Sequence, residues 1–417
     1  MLYLDNAATT AVRPEVLEAM MPYLTRWFGN ASSHHTVGEV AAEALTDARR
    51  RVARVLGMRA SDVVFTSGGT EANNLAVKGI ALGAAGDVRA GSAPGSLERS
   101  PRSLDQSPRS LDQSLRSLDR SPRSLSLSKR HVVTTAIEHE SILESVDYLA
   151  RLHGYEITLA PVDDAGRLTP DALAGALRDD TALVSFGFAN NEVGTIQDAA
   201  ALAAVARARG IPVHVDAVQA AGWLPLSDTG ADAISIAGHK LGAPKGTGVL
   251  AVRGRIPLEP LLHGGGQERG RRSGTEDIAG AVGLATALEL AEGERAESSA
   301  RVGALRAAFT AAVLSRVATA RVTGDPVHRL PGTASFTFAG TSGEAVLLEL
   351  ERRGVVSSSG SACAAGSDEP SHVLTAMGVS PEVAQTAVRF TFPHDAHLDP
   401  DALAAAVAAS VAAVTAG

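Results

Sequence analysis

Short apolar runs alternate with longer amphipathic stretches through most of the chain. Val63 to Thr66, His131 to Thr135, Tyr155 to Val162, Ala182 to Phe188, Ile211 to Val215, Ala233 to Ile236 and Gly248 to Val252 are mainly apolar. Each is bounded by Gly, Pro or polar residues, which predicts buried strands. Between them, Pro14 to Phe28, Val37 to Leu56, Glu71 to Leu82, Ser141 to Leu152 and Thr169 to Leu177 have helical spacing. Gly57 is expected to stop the second helix, with Arg49, Arg50, Arg51 and Arg54 on its solvated side. Near-continuously apolar strands alternating with helices predict an α/β fold with a mostly parallel sheet covered on both faces.

Pro257 and Pro260 mark a crossing into a second, smaller α+β domain. There, Ala279 to Leu314 carries two helices' worth of Ala/Leu/Glu pattern. Val388 to Phe392 reads as a strand with Val388, Phe390 and Phe392 on one face and Arg389 and Thr391 on the other. The expected division is an arm (1–15), a large domain (16–255) and a small C-terminal domain (256–417). One segment breaks the pattern. Residues 87–128 contain a near-perfect seven-residue repeat, SPRSLDQ at Ser100 and Ser107 with variants at Ser114 and Ser121. One leucine per seven and repeated prolines argue against a coiled coil, and so little apolar surface predicts a disordered insertion.

Composition narrows the function classes. The 417 residues suffice for two domains, and with aromatic content at 4% the core must be filled by Ala, Val and Leu. A formal net charge of -8 argues against nucleic acid or an anionic membrane as the main partner. No run reaches the ~20 apolar residues of a membrane span, and the start MLYLDNAATT lacks the pattern of a signal peptide. A cytoplasmic protein is expected. The single cysteine, Cys363, makes neither an internal disulfide nor, alone, a structural metal site.

Two residues carry the first chemical signal. Lys240 follows the strand at Ala233, and Asp216 ends the strand at Ile211. Open α/β sheets bind ligands at the carboxyl ends of their strands. A lysine for an aldehyde and an acid for a pyridinium nitrogen are what pyridoxal phosphate requires. Ser67-Gly68-Gly69-Thr70, opening a helix, suits a phosphate. Cys363 lies in a run of Ser, Gly and Ala without a bulky anchor, which suits a nucleophile more than a core cysteine.

The chain resembles the cysteine desulfurases of the NifS/IscS type, a branch of the class V aminotransferases in the type I pyridoxal phosphate fold. The resemblance is carried by YLDNAATT at Tyr3, FTSGGTEANN at Phe65, TTAIEHESI at Thr134, NNEVGTIQD at Asn190, HVDAVQ at His214, AGHK at Ala237, ERGRRSGT at Glu268 and SSSGSACAAGSDEPSHVLTAMG at Ser357. These stretches occur in the family's order over nearly the whole chain.

The resemblance implies a seven-stranded type of sheet and L-cysteine as substrate, converted to L-alanine with the sulfur held as a persulfide on Cys363. It assigns Lys240 to the cofactor aldehyde and α-proton, His139 to stacking and proton relay, and Gly69 and Thr70 to the phosphate. Asp216 goes to the ring nitrogen, and Gln219, His239 and Asn191 to further cofactor contacts. Asn191 and Arg389 would hold the substrate carboxylate. Thr275 would cross a homodimer interface to the partner's phosphate. An iron–sulfur scaffold or a tRNA-thiolation protein would accept the sulfur. A selenocysteine lyase, another class V aminotransferase or a catalytically silent scaffold are the alternatives. Two positions depart from the family pattern. Ala237 stands where a hydroxyl residue usually helps hold the phosphate, and Phe392-Pro393-His394 replaces a Gly-containing turn after Arg389.

Overall fold

The computed structural model describes residues 1–85, 129–359 and 369–415. The repeat segment and Cys363 lie outside the described residues. The strands are β1 (Leu2–Tyr3), β2 (Val63–Thr66), β3 (His131–Thr135), β4 (Glu156–Ala160), β5 (Thr181–Gly187), β6 (Val213–Asp216), β7 (Ala233–Ala237), β8 (Gly248–Val252), β9 (Ala320–Val322), β10 (Thr333–Phe338), β11 (Val355–Val356) and β12 (Ala387–Thr391). The helices are α1 (Pro14–Thr25), α2 (Thr36–Leu56), α3 (Gly69–Ala84), α4 (Glu140–His153), α5 (Pro170–Ala176), α6 (Ala199–Arg207), α7 (Ile278–Arg316), α8 (Gly343–Arg352), α9 (His372–Ala376), α10 (Pro381–Ala384) and α11 (Pro400–Thr415).

The large sheet has seven strands in the order β2-β8-β7-β6-β5-β3-β4. The pairs from β7 to β4 are parallel, and β8 runs antiparallel to both β2 and β7. This is the expected mostly parallel α/β sheet. β5, β6, β7 and β8 are buried along their length apart from Gly187, because helices cover both faces. The carboxyl ends of β2, β3, β5, β6 and β7 consequently converge on one side of the sheet.

A second sheet, β12-β10-β9, is antiparallel, and the arm adds β1 parallel to β11. Its core differs in composition from the large one. Ala, Val and Leu dominate around the large sheet, whereas Phe309, Phe336, Phe338, Phe390 and Phe392 gather on the small one. Phe309 meets Phe336, Phe390 and Phe392 edge-on at 5.2–5.8 Å between ring centroids. A chain with few aromatics has concentrated them where the smaller core needs the most area per residue.

Two expectations are corrected. The pattern over 279–314 forms one helix of 39 residues, α7. Its first turns, Ile278 to Ala291, are buried with the large core, while Val302, Phe309 and Val313 belong to the small core. The more polar stretch between them spans the two cores as uninterrupted helix. Arg49, expected on a solvated face, is buried. Helical spacing places it beside Leu45 and Val52 on the inner face, where its guanidinium pairs with buried Glu268 at 2.7 Å. Among the described residues no helix is long and apolar enough to cross a membrane.

Candidate active site

A cavity of about 630 Å³ opens at the carboxyl ends of the large sheet. Lys240, Asp216, His139, Asn191, Gln219, His239 and Arg389 line it, together with Gly69 and Thr70 at the start of α3. The residues are distant in sequence: the parallel strand order gathers those at the ends of the large sheet, and the small sheet adds Arg389 from β12.

The α3 end is shaped for an anion. Gly68 precedes the helix with φ 155°, and no side chain caps the first amides. These unpaired N–H groups and the helix dipole favour negative charge. The turn is pinned from behind by Gly248, where a Cβ would lie 2.5–2.7 Å from the Gly68 backbone. Glu71 accepts the Ser67 amide at 2.7 Å and pairs with Arg272 at 2.9 Å. Ala237 faces the same region, 3.2 Å from the position a Cβ on Gly69 would take.

Asp216 ends β6, buried. Its Oδ1 accepts the Val218 amide at 2.9 Å, and its Oδ2 accepts the Asn73 amide side chain at 2.7 Å. Burial raises its carboxyl above the ordinary range, although these hydrogen bonds and the nearby His139 and Lys240 pull the other way. Asn73 also donates to Ser141 Oγ at 2.9 Å, and Ser141 lies 2.9 Å from His139 Nδ1. The Ser141 amide donates to that same Nδ1 at 3.0 Å. A neutral His139 ring therefore carries its proton on Nε2.

Asn73 and Ser141 thus tie the acid to the imidazole, and sequence reading assigned neither a role. The available signal was Asn73 itself, a polar residue on the apolar face of α3 between Ala72 and Leu75.

Lys240 closes the other side. Its Nζ donates to Ala8 O at 2.7 Å and to Ala7 O, both in the arm. Gln219 Nε2 donates to Ala7 O at 3.1 Å. His239 meets Thr9 Oγ1 at 3.2 Å, and burial pushes its imidazole down to about 4. Both Asn190 and Asn191 line the cavity, but Asn190 spends its side chain on Ile137 O and on the amides of Glu192 and Val193. Arg389 projects from the β12 face away from the phenylalanines.

Thr275 lies elsewhere in the same chain, in a smaller cavity with Phe65, Arg272 and Thr247. Its loop is held by Glu268 and Arg269, which sit at φ 48° and 59°. Such left-handed residues cost roughly 1–2 kcal/mol each. The Arg49–Glu268 pair and the bond from Arg269 to Val63 O offset that strain.

This donor set fits pyridoxal phosphate. An anion pocket, an amine, a buried acid and a flat imidazole line one cavity of suitable size. The aminotransferase class-V family model matches residues 2–89 and 115–398. The chain belongs to the class-V aminotransferase family, in its cysteine desulfurase branch. The gap in the match falls within the segment read as an insertion. An IscS-like cysteine desulfurase of Mycobacterium tuberculosis is 42% identical over 99% of each chain. Cysteine desulfurase IscS of Dictyoglomus turgidum is 40% identical over 94% of this chain and 89% of its own. Among solved structures, a NifS-like protein superposes with a TM-score of 0.81 at 31% identity, covering 98% of both chains. Class-V members of this branch generally depend on pyridoxal phosphate.

Proposed function

We propose that this chain removes sulfur from L-cysteine, leaving L-alanine, with pyridoxal phosphate in the cavity and Cys363 as the sulfur-accepting thiol. The observation that carries the reading is the convergence of Lys240, Asp216, His139 and Arg389 with the α3 terminus on one cavity. When bound, the cofactor supplies a carbonyl for the substrate amine and an electron sink for its α-carbon.

The chain's own groups do the rest. Gly69, Thr70 and the amides around them hold the phosphate. Asp216 would be the acidic partner of the ring nitrogen, and Gln219 and His239 would supply further contacts to the cofactor. Arg389 and Asn191 take the substrate carboxylate. Lys240 would take the α-proton, and His139, with its proton at Nε2, would stack on the ring and relay protons. The Cys363 thiolate attacks the substrate sulfur. An S–S bond forms, the C–S bond breaks, and its electron pair stays with the carbon that becomes the alanine methyl group. An iron–sulfur scaffold or a tRNA-thiolation protein then receives the persulfide sulfur.

A homodimer completes this reading. Leu17, Met21 and Leu24 form an exposed apolar stripe on α1, beside buried Val16 and Met20, and exposed Phe28 follows. Thr275 does not line its own chain's cofactor cavity. Both observations support a second copy that receives Thr275 at its phosphate site. The domain division follows the same logic: an arm held by Lys240, a large cofactor domain, and a small domain that brings Arg389 and whose sequence contains Cys363.

The test is to purify the protein, record its visible absorbance, add L-cysteine with a reductant, and quantify sulfide and alanine. A yellow protein releasing both in equal amounts is expected, with release lost in Cys363→Ser. Equal release without the thiol would point to a lyase, and a protein taking up no cofactor would leave only the fold. A second expectation concerns Ala237. A hydroxyl there adds a donor beside the phosphate, so Ala237→Ser is expected to tighten pyridoxal phosphate binding about three- to tenfold, one hydrogen bond's worth. Fluorescence titration of the cofactor-stripped protein measures it.

A further inference from the structure

Arg389 is held by a carboxylate before any substrate arrives. Its side chain is 2% exposed, and its Nη2 donates to Asp5 Oδ1 at 2.7 Å, with Asp5 18% exposed. Its Nη1 donates to Asn191 O at 2.8 Å, and its buried Nε has no partner among the described residues. Asp5 is fixed by the backbone. It forms a bridge with Thr391, the Asn6 side chain donates to Thr391 O at 2.7 Å, and the Ala7 amide donates to Thr391 Oγ1 at 2.9 Å. Arg389 lines the cavity and Asp5 does not.

We propose that Asp5 sets the strength with which Arg389 holds the substrate carboxylate, acting as the guanidinium's resident counter-charge from behind. The inference rests on the carboxylate role given to Arg389 above. The Arg389 guanidinium is a cation with five N–H donors and no acceptor. Without Asp5 it would present a full positive charge in a poorly solvated wall, where Coulomb forces are strong. With Asp5 the pair is neutral, and the substrate carboxylate meets both the attraction of the guanidinium and the repulsion of a second carboxylate beyond it. Two N–H groups of Arg389 are engaged by protein, leaving others of its five for the incoming oxygens. The arrangement orients a carboxylate without holding it tightly. That suits an enzyme whose product, L-alanine, carries the same carboxylate as its substrate and must leave.

The test is a binding measurement on the protein loaded with pyridoxal phosphate. L-Alanine and L-alaninol, which lacks the carboxylate, are titrated while the visible spectrum is followed. Asp5→Asn keeps an oxygen for Nη2 and removes the charge. It is expected to tighten L-alanine on the order of three- to tenfold and to leave L-alaninol where it was. Asp5→Ser, which also removes the charge, must move L-alanine in the same direction, and it serves if the Asn variant fails to fold. Unchanged or weaker L-alanine binding in these variants, with Arg389→Lys selectively weakening L-alanine, would overturn the proposal and spare the role of Arg389. If Arg389→Lys also leaves the preference for L-alanine over L-alaninol intact, the carboxylate role itself is wrong.

Discussion

Lys240→Ala is expected to lower L-cysteine turnover by about 10³-fold or more, because it removes both a carbonyl-reactive amine and a general base. The visible absorbance of the loaded protein should change with it. The structure gives Lys240 a second duty that this variant would also remove. Its Nζ bonds Ala7 O and Ala8 O, anchoring the arm whose preceding residues, Asp5 and Asn6, pair with Thr391 of β12. Losing those bonds costs about 1–2 kcal/mol of stability, so lost activity in Lys240→Ala has two candidate causes. Lys240→Arg separates them. A guanidinium donates to the same carbonyls and keeps the charge, but it neither condenses with an aldehyde nor accepts a proton near neutral pH. Thermal melting should show Lys240→Arg close to the parent and Lys240→Ala below it, with turnover lost in both. Turnover retained by Lys240→Arg would remove Lys240 from the chemistry and leave it as an arm tether.

The arm also shows where sequence reading stops. The strands of the large sheet were legible because burial on both faces makes them near-continuously apolar, and several expected bounds, such as Val63 to Thr66 and Gly248 to Val252, coincide with those found. That Asp216 and Lys240 would share one cavity was legible because α/β topology gathers strand ends. What periodicity could not show was contact across large sequence separations. Arg49 looked solvated because its neighbours Arg50 and Arg51 are charged, and only the fold brings Glu268 to it. Asp5 reads as a turn former, and nothing local says that Arg389, 384 positions later, will lie 2.7 Å away. The helical pattern of α7 was legible, but not that one helix would run through both cores, because its pattern covers more residues than a usual single helix.

Glu138→Gln should make the cofactor-stripped protein more stable in alkaline solution and nearly unchanged in acid. Glu138 immediately precedes His139, and its carboxyl is buried between the ends of β3 and β5. Thr135 Oγ1 donates to its Oε1 at 2.6 Å, and the Gly187 amide donates to its Oε2 at 2.7 Å. Burial pushes its carboxyl up to about 8, and the nearby Asp216 adds to the rise, against these two hydrogen bonds. The folded protein therefore keeps a proton that the unfolded chain releases near its ordinary value of 4.5. Its contribution to stability is complete below that value, declines as pH rises towards about 8, and changes no further above it.

Glutamine imitates the protonated acid: its oxygen can accept from Gly187 and its amide can donate to Thr135. The variant should gain on the order of 3 kcal/mol over the parent at pH 9 and little at pH 5. Urea unfolding at pH 5, 7 and 9 measures the difference. A remaining slope is expected in the variant, because the Asp216 carboxyl is also raised. Parallel pH profiles for the two proteins would show that Glu138 is ionised in the fold. The distinction matters for the site, since two buried carboxyls this close disfavour a double charge. In the proposed reading, a proton held by Glu138 would favour the charged form of Asp216, the acid placed at the ring nitrogen.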